Sequence, residues 1–312
     1  MVFGEYHFQA ILEDEAHLPP FKGSTFRGVF GWALKSVVCA LKRQECPSCL
    51  LRQQCIYTKV FELPPDLQPQ GKPHPPHPFV IEPPLDPRTY LPPGESFDFT
   101  LLLFGAANQY LPYFVYAFQE MGKIGIGRRA QGHRARFRLL AVASPNTGII
   151  YHHEDGSLSP GALLDLKPMD VAGPGPPVDE ITLTLLTPLR LKYQNRLQAE
   201  LPFHVLVRGV LRRITVLASH YGDGEPSLDY RGLVHRAQEV QTVQSSLYWL
   251  DWERYSQRQA QAMLLGGLMG SITYRGELGE YLPLLRFAEK VHVGKNSTFG
   301  LGLFKVCQAS GD

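Results

Sequence analysis

The sequence predicts an α+β protein built from two tandem ferredoxin-like (RRM-like) units. Three observations carry that prediction. Each half orders its elements strand–helix–strand–helix–strand, the order of a ferredoxin-like unit. The late helix of each half opens on the same tripeptide, Tyr110-Leu111-Pro112 and Tyr281-Leu282-Pro283, an offset of 171 residues. At that offset Tyr113, Phe114 and Ala117 fall on Leu284, Leu285 and Ala288, so the apolar faces superimpose. Between the halves, turn signals from Pro145 to Asp179 end in Ala172-Gly173-Pro174-Gly175-Pro176-Pro177, the best domain boundary in the chain. The expected division is an N-terminal unit over 1–144, a linker over 145–177 and a C-terminal unit over 178–312.

In the first half, Phe3 to Leu12 reads as a strand that ends in the acidic Glu13-Asp14-Glu15. After a Pro-Pro turn, Ser24 or Thr25 is placed to cap a helix. Phe26, Val29, Phe30, Ala33, Val37 and Leu41 form its apolar stripe at steps of three and four. Arg27, Lys35 and Lys42 share a different face. Gly28 and Gly31 each cost such a helix about 1 kcal/mol relative to Ala. That cost implies close backbone approach to the underlying sheet or to a ligand. A cysteine-cluster insertion follows, then residues 64–93 with 12 Pro, which exclude helix and inner strand and predict an extended surface loop. Phe97 to Phe104 reads as strand, Asn108 to Met121 as amphipathic helix, and Arg136 to Ala143 as the closing strand.

The second half opens on the alternation Ile181, Leu183, Leu185 and continues to Leu191. A helix is expected over 202–220, strands near 240–255 and 262–274, and a helix over 277–290. A glycine loop and the strand Gly302 to Cys307 close the chain.

Composition bounds the function. The 312 residues carry 31 Lys+Arg against 29 Asp+Glu, a formal charge of +2, with 19% charged residues, so a polyanion surface must come from local clustering. A hydrophobic share of 44% excludes a wholly disordered chain. The first residues lack a basic segment followed by an apolar stretch, and no apolar run approaches the ~18 residues of a spanning helix. The expected setting is cytoplasmic, without membrane contact.

The strongest local clustering is Gly122 to Arg138, GKIGIGRRAQGHRARFR. It holds Lys123, Arg128, Arg129, Arg134, Arg136 and Arg138 and no acidic residue. Its glycines would let backbone N–H groups approach an anion, and arginine forks suit phosphate oxygens. The reading is a polyanion-binding loop, set against a solvated basic turn. A second loop, Val293 to Gly302 (VGKNSTFGLG), offers Lys295, Asn296, Ser297 and Thr298 to a phosphate–sugar chain, with Phe299 placed to stack on a base. The alternative there is an ordinary tight turn.

Cys39, Cys46, Cys49 and Cys55 are spaced C-x6-C-x2-C-x5-C. Four thiolates can close a tetrahedral structural Zn2+ site and staple the helix end to the next loop. The spacing also suits an iron–sulfur cluster, or cysteines that are unligated or bridged. Cys307 is expected in the core. Among eleven His, those at 74 and 77 lie in a polyproline-type loop, His7 on the first strand, and His17 just before the basic helix. His292 precedes the second glycine loop and would face whatever that loop binds.

Five stretches together resemble one family: LPPFKGSTFRGVFGWAL, IYTKVFE after the cysteines, GIGRRAQGHRARFRL, LTPLRLK and YLPLLRFAEKVHVGKNSTFGLG. They are similar to the CRISPR precursor-RNA processing endoribonucleases of the RAMP superfamily, the Cas-six type. The resemblance implies two ferredoxin-like domains, binding of CRISPR repeat RNA, and one metal-independent cut per repeat. In that cut the ribose 2′-OH attacks the adjacent phosphate, leaving a 2′,3′-cyclic phosphate and a 5′-hydroxyl. Other CRISPR effector subunits are further partners it allows. The family places a catalytic His on or after the first helix, and this sequence has none there. Candidate substitutes are His17, Lys22 and Lys35, with Arg27 as a further helix cation that grips RNA and Tyr6 beside Lys22; His292 and Lys295 are the second-half candidates. Two other functions stay open: a non-catalytic RAMP subunit that grips guide RNA within an interference complex, and a zinc-stapled interaction protein that binds no nucleic acid.

Overall fold

The structure is a computed structural model that describes residues 1–42, 44–67, 74–130, 132–145, 147–166, 177–194, 196–197, 199–256 and 261–308. The boundary motif at 172–176 lies outside those residues. The chain divides into two compact units, Met1–Asp165 and Leu166–Asp312.

The first unit is built on β1 (Val2–Leu12), whose alternation sends Tyr6, Phe8, Ala10 and Leu12 inward and His7 and Gln9 outward. After the two-residue β2 (Ala16–His17) comes α1 (Gly23–Val38). Then follow β3 (Phe79–Glu82), β4 (Tyr90–Leu91) and β5 (Ser96–Phe104). Next are α2 (Leu111–Ile124), β6 (Ile126–Ala130), β7 (His133–Ala135), β8 (Phe137–Ser144), β9 (Gly148–His152) and β10 (Leu164–Asp165). The main sheet runs β3-β5-β1-β8-β9, with β10 also on β1. Taking β1, β3, β5 and β8 as strands one to four, the order two-three-one-four with α1 and α2 as crossovers is the ferredoxin-like arrangement.

Phenylalanine rings bind both helices to the sheet. Phe8 lies 4.9 Å from Phe99 and 4.7 Å from Phe118 of α2, and Phe30 of α1 lies 4.7 Å from Phe118. Each such pair contributes about 0.5–1.5 kcal/mol beyond its buried area.

The second unit repeats the plan. It contains β11 (Glu180–Leu189), β12 (Lys192–Tyr193), β13 (Arg196–Leu197), α3 (Phe203–Tyr221) and α4 (Tyr230–Arg236). These are followed by β14 (Gln241–Ser245), β15 (Tyr248–Ser256), β16 (Gln261–Arg275), α5 (Leu282–Val291) and β17 (Phe304–Gln308). The order β14-β16-β11-β17, with β15 also on β16, is again two-three-one-four. β14 and β15 pair with successive stretches of β16, so they act as one strand interrupted at Ser246 and Leu247. The break faces Gly270, at φ +106°, where a Cβ would stand 2.4 Å from the Ser246 carbonyl oxygen. Phe203 packs between Tyr274 at 4.9 Å and Tyr281 at 5.0 Å. The buried Arg213 donates from Nε and Nη2 to the Val291 carbonyl at 3.0 and 2.8 Å, which satisfies the end of α5.

Several expectations change. The proline-rich stretch is no simple surface loop, because Phe79, Val80 and Ile81 are buried in an edge strand on β5. An edge strand tolerates flanking prolines, since its outer side has no ladder to complete. Residues expected to be linker form β9 and β10, which join the first sheet. No side chain caps α1, whose N-cap is Lys22. Cys307 is exposed rather than in the core. Among the described residues no helix is long and apolar enough to cross a membrane.

The two α1 glycines separate. A Cβ on Gly31 would lie 2.3 Å from Phe61 Cζ, whereas one on Gly28 meets nothing within 4 Å. Phe61 is held by stacking on Tyr57 at 5.1 Å and Phe79 at 6.0 Å, so it has little room to yield. Gly28→Ala should therefore stabilise the chain by up to about 1 kcal/mol. Gly31→Ala should destabilise it by about 1–3 kcal/mol. Denaturant unfolding of both variants checks the pair of signs.

Candidate nucleic-acid interface

In the first unit the basic segment folds as the β6–β7 hairpin, with Ile126 opposite Ala135 and Ala130 opposite His133. Its glycines serve the fold more than an anion. Cβ atoms would stand 2.1 Å from the Phe137 oxygen at Gly122, 2.7 Å from the Arg134 oxygen at Gly125, and 2.4 Å from the His17 oxygen at Gly127. Gly125 and Gly127 also sit at φ +83° and +81°, where a side chain would be strained. Only Gly132 among the four faces open space. Gly127 thus lets the hairpin press onto β2 beside His17, while Gly122 lets α2 approach Phe137 and Gly125 lets the two hairpin strands approach each other.

Arg128, Arg129 and Arg138 are exposed and Arg134 half-buried, and none of them is ion-paired among the described residues. Arg136 is committed elsewhere. It donates from Nε and Nη2 to Asp14 at 2.9 and 3.2 Å, and its backbone N–H adds a third bond at 3.0 Å. Those hydrogen bonds push the Asp14 carboxyl down to about 2. Lys123 pairs with Glu120 at 2.6 Å.

The acid–base candidates sort clearly. His17 is half-exposed, its ring 5.3 Å from the exposed Tyr90 and its Nε2 3.9 Å from Glu15. Lys22 is fully buried, its Nζ donating to the carbonyls of Pro20, Asp86 and Arg88. Burial lowers its pKa against the opposing pull of Asp86. Such a caged ammonium ties the Pro-Pro turn to the loop before β4. Tyr6 is buried with its hydroxyl on Asn108 Oδ1 at 3.0 Å and its pKa pushed up to about 12 by burial. Arg27 turns inward. Its guanidinium lies 4.5 Å over the Phe61 ring and Nη2 is 3.3 Å from His77 Nε2.

Lys35 lies 5.8 Å from the Tyr57 ring and hydrogen-bonds Cys46. Burial opposes its charge, but Cys46, Cys39 and Glu45 outweigh it and the pKa rises. This bears on the metal expectation. Among the described residues no three His, Cys, Asp or Glu side chains converge to hold a metal ion, and all five cysteines are free thiols. As placed, the four cysteines do not converge into a four-thiolate centre; Lys35 lies beside Cys46 and Cys39, and Cys46 and Cys55 pack on the phenylalanine core.

In the second unit the glycine loop closes on the end of β11. Lys295 N–H donates to the Arg190 carbonyl at 2.9 Å, Gly302 N–H to Pro188 at 3.2 Å, and Thr187 Oγ1 to Gly300 at 2.7 Å. His292 does not face a ligand. It is fully buried at φ 60°, with Nδ1 3.1 Å from the Leu301 oxygen, and helps close the loop. Phe299 and Ser297 are buried too, so Phe299 is no stacking platform. Asn296 takes a left-handed turn at φ 63°, and Thr298 is half-buried.

Lys295 is exposed among other cations. Burial lowers its pKa, and so do Lys192, at hydrogen-bonding range, Arg190 and Arg212. Arg190 Nη1 donates to the Gly266 carbonyl, while its buried Nε has no hydrogen-bond partner among the described residues. Arg190, Lys192 and Arg212 were not singled out from the sequence. The signal was there: Arg190 and Lys192 stand two apart after a strand, and Arg208 and Arg212 four apart on a helix.

Two successive ferredoxin-like units, each bearing a cationic surface and the second closed by a glycine-rich loop, define the class. Residues 1–163 match the family model AF_1859_N, an N-terminal domain, and residues 183–304 match the model of the CRISPR-associated endoribonuclease Cas6. The chain belongs to the family of the AF_1859_N domain, and its second unit is similar to the CRISPR-associated endoribonuclease Cas6. An uncharacterized protein of Archaeoglobus fulgidus is 29% identical over 301 residues, 93% of each chain. Among solved structures, a Cas6 product complex matches with a TM-score of 0.59 at 15% identity, over 98% of this chain and 100% of that one. Thermus thermophilus Cas6 matches at 0.57 and 14%, over 98% of each. A chain of a partial Cas6-RT-Cas1–Cas2 complex matches at 0.59 and 15%, over 99% of this chain and 46% of that one. These solved structures attest the fold.

One group near Arg27 sets a pH limit. Burial first, then Arg27, pushes His77 down to about 4, against a hydrogen bond with the Val60 carbonyl. A depressed histidine favours the unfolded state as acid is added. Stability should be intact above pH 6.5 and fall toward pH 4, with a slope from this one proton approaching about 1.4 kcal/mol per pH unit. Denaturant titrations at stepped pH should show that His77→Gln flattens this window.

Proposed function

We propose that the chain binds CRISPR repeat RNA and cuts it once, by attack of the ribose 2′-OH on the adjacent phosphate. The observation that carries the reading is the half-exposed His17 held beside hairpin arginines that make no ion pair among the described residues, in a chain whose residues 183–304 match an endoribonuclease family. The bond from phosphorus to the 5′-oxygen breaks, leaving a 2′,3′-cyclic phosphate and a 5′-hydroxyl. His17 exchanges the proton, either taking it from the 2′-OH or giving one to the leaving oxygen. Arg128, Arg129 and Arg134 offset the charge that builds on the phosphorane. Lys22 and His292 are left in structural roles by their burial, and Lys35 by its contact with Cys46. The chemistry assigned to these residues draws on no metal ion. The likeness to a chain of the Cas6-RT-Cas1–Cas2 assembly supports other CRISPR proteins as partners.

A second reading, a RAMP subunit that grips guide RNA without cutting, is favoured by the absence of His from α1 and by the burial of Lys22 and His292. Single-turnover cleavage of labelled repeat RNA in EDTA separates the two. The cutting reading expects one defined product, and a loss of about 10²–10⁴ in rate for His17→Ala with RNA affinity kept. No product from the unaltered chain leaves the gripping subunit.

The arginines give a separate check. Removing Arg128, Arg129 and Arg134 together should flatten the salt dependence of binding by about 0.7 per lost single-strand phosphate contact. Arg136→Ala should change it little, because Asp14 already holds that guanidinium. An equal effect of Arg136→Ala would contradict the assignment.

A further inference from the structure

The outer side of the first unit's helix layer is aromatic where a solvent face is ordinarily polar. Phe30 of α1 lies 5.4 Å from Phe114 and 4.7 Å from Phe118 of α2, which sets the two helices side by side over the sheet. Trp32 stands about 200° round α1 from Phe30, and Tyr116 the same angle round α2 from Phe114, so both rings leave the layer away from the sheet. Trp32 is 62% exposed, and Tyr113 and Tyr116, three apart on α2, are exposed at the same level of the layer. Four positions before and after Trp32 come Gly28 and Ser36, both exposed. The flanking cations are engaged within the chain, Lys35 with Cys46 and Lys123 with Glu120. Gly31 is required by Phe61, but Gly28 meets nothing within 4 Å, although a glycine there weakens the helix. A projecting indole and a gap therefore share one line of α1, about 6 Å apart.

We infer that this face pairs two copies of the chain, α1 antiparallel to α1, with each Trp32 seated on the partner's Gly28. A twofold axis between the two positions makes them self-complementary, because it lays the ring of each copy over the gap of the other. That spacing within one chain is what selects a second copy as the occupant. Charge agrees with it: no charged side chain stands among Gly28, Trp32, Ser36, Tyr113 and Tyr116, so like does not meet like across the axis. Area agrees too. The three rings alone expose roughly 350 Å², near half of the ~800 Å² each partner gives to a standard interface. Neighbouring turns of α1 and α2 supply the remainder, and Tyr113 and Tyr116 close over the outer side of the seated indole. The pairing needs no RNA and is independent of both the cutting and the gripping reading.

Sedimentation velocity over a dilution series of the RNA-free chain tests the pairing. The unaltered chain should pass from twice the mass of one chain to a single mass as it is diluted. Trp32→Ala should raise the dissociation constant at least about 30-fold. Gly28→Glu and Trp32→Lys should each sediment as single chains and keep the native melting temperature, since both positions open to solvent. Mixed together they should pair, because one ring keeps an intact glycine opposite it and the two introduced charges meet as an ion pair. An unaltered chain that stays single at every concentration overturns the pairing and leaves the face to another protein. A double chain that no variant separates places the contact elsewhere and overturns it equally. If the variants separate but their mixture does not pair, the seating of ring on glycine is overturned. Should either charged variant lose its melting transition, Tyr116→Ser repeats the test from α2, where a folded variant should dissociate about tenfold more readily and an unchanged one contradicts the pairing.

Discussion

The second unit depends on backbone approaching backbone where no side chain stands between. The glycine loop meets the end of β11 at Gly294, where a Cβ would lie 2.6 Å from the Arg190 oxygen, and closes on itself at Gly302, where one would lie 1.8 Å from the Val293 oxygen. Both glycines sit at positive φ. That contact sets Lys295 beside Arg190 and Lys192. Moved out by the thickness of one methyl group, the loop would lose the hydrogen bond from Lys295 N–H to Arg190. The cations would then separate, as their repulsion favours. The fold spends stability to keep like charges together.

The first unit uses the same device for a different end. Gly127 presses a basic hairpin onto β2, and the pressed strand carries His17. The hairpin's charge is divided between two tasks. Arg136 fastens it to Asp14, while Arg128 and Arg129 remain open to solvent. A count of basic residues along the segment cannot make that division, because it depends on an aspartate 122 residues away.

Burial likewise separates residues of one chemical type. Lys22 and Lys295 are both lysines in glycine-containing turns with lowered pKa values, yet one is caged by three carbonyls and the other stands among cations. The cage satisfies Lys22 and takes it out of chemistry. Lys295 is exposed, and the charges that act on it, Lys192, Arg190 and Arg212, are all of its own sign. His17 and His292 divide in the same way, one at the surface and the other closing a loop in the core.

The sequence by itself determined the long strands and helices of both units, the repeat of the late helix at Tyr110 and Tyr281, and the two glycine-bearing basic segments. These are local: they follow from apolar periodicity, from proline and glycine, and from runs of charge. It did not reveal β3, because Phe79 to Glu82 is too short to show a period and is surrounded by prolines. Nor did it reveal Arg190, Lys192, Arg208 and Arg212 as a group. Those residues come from a strand end, a short hairpin and a helix, and only tertiary packing sums their fields at one place. The tertiary structure also decided which glycines serve packing and which acid–base candidates reach solvent. Both depend on what lies opposite a residue in space, and spacing along the chain carries no record of that.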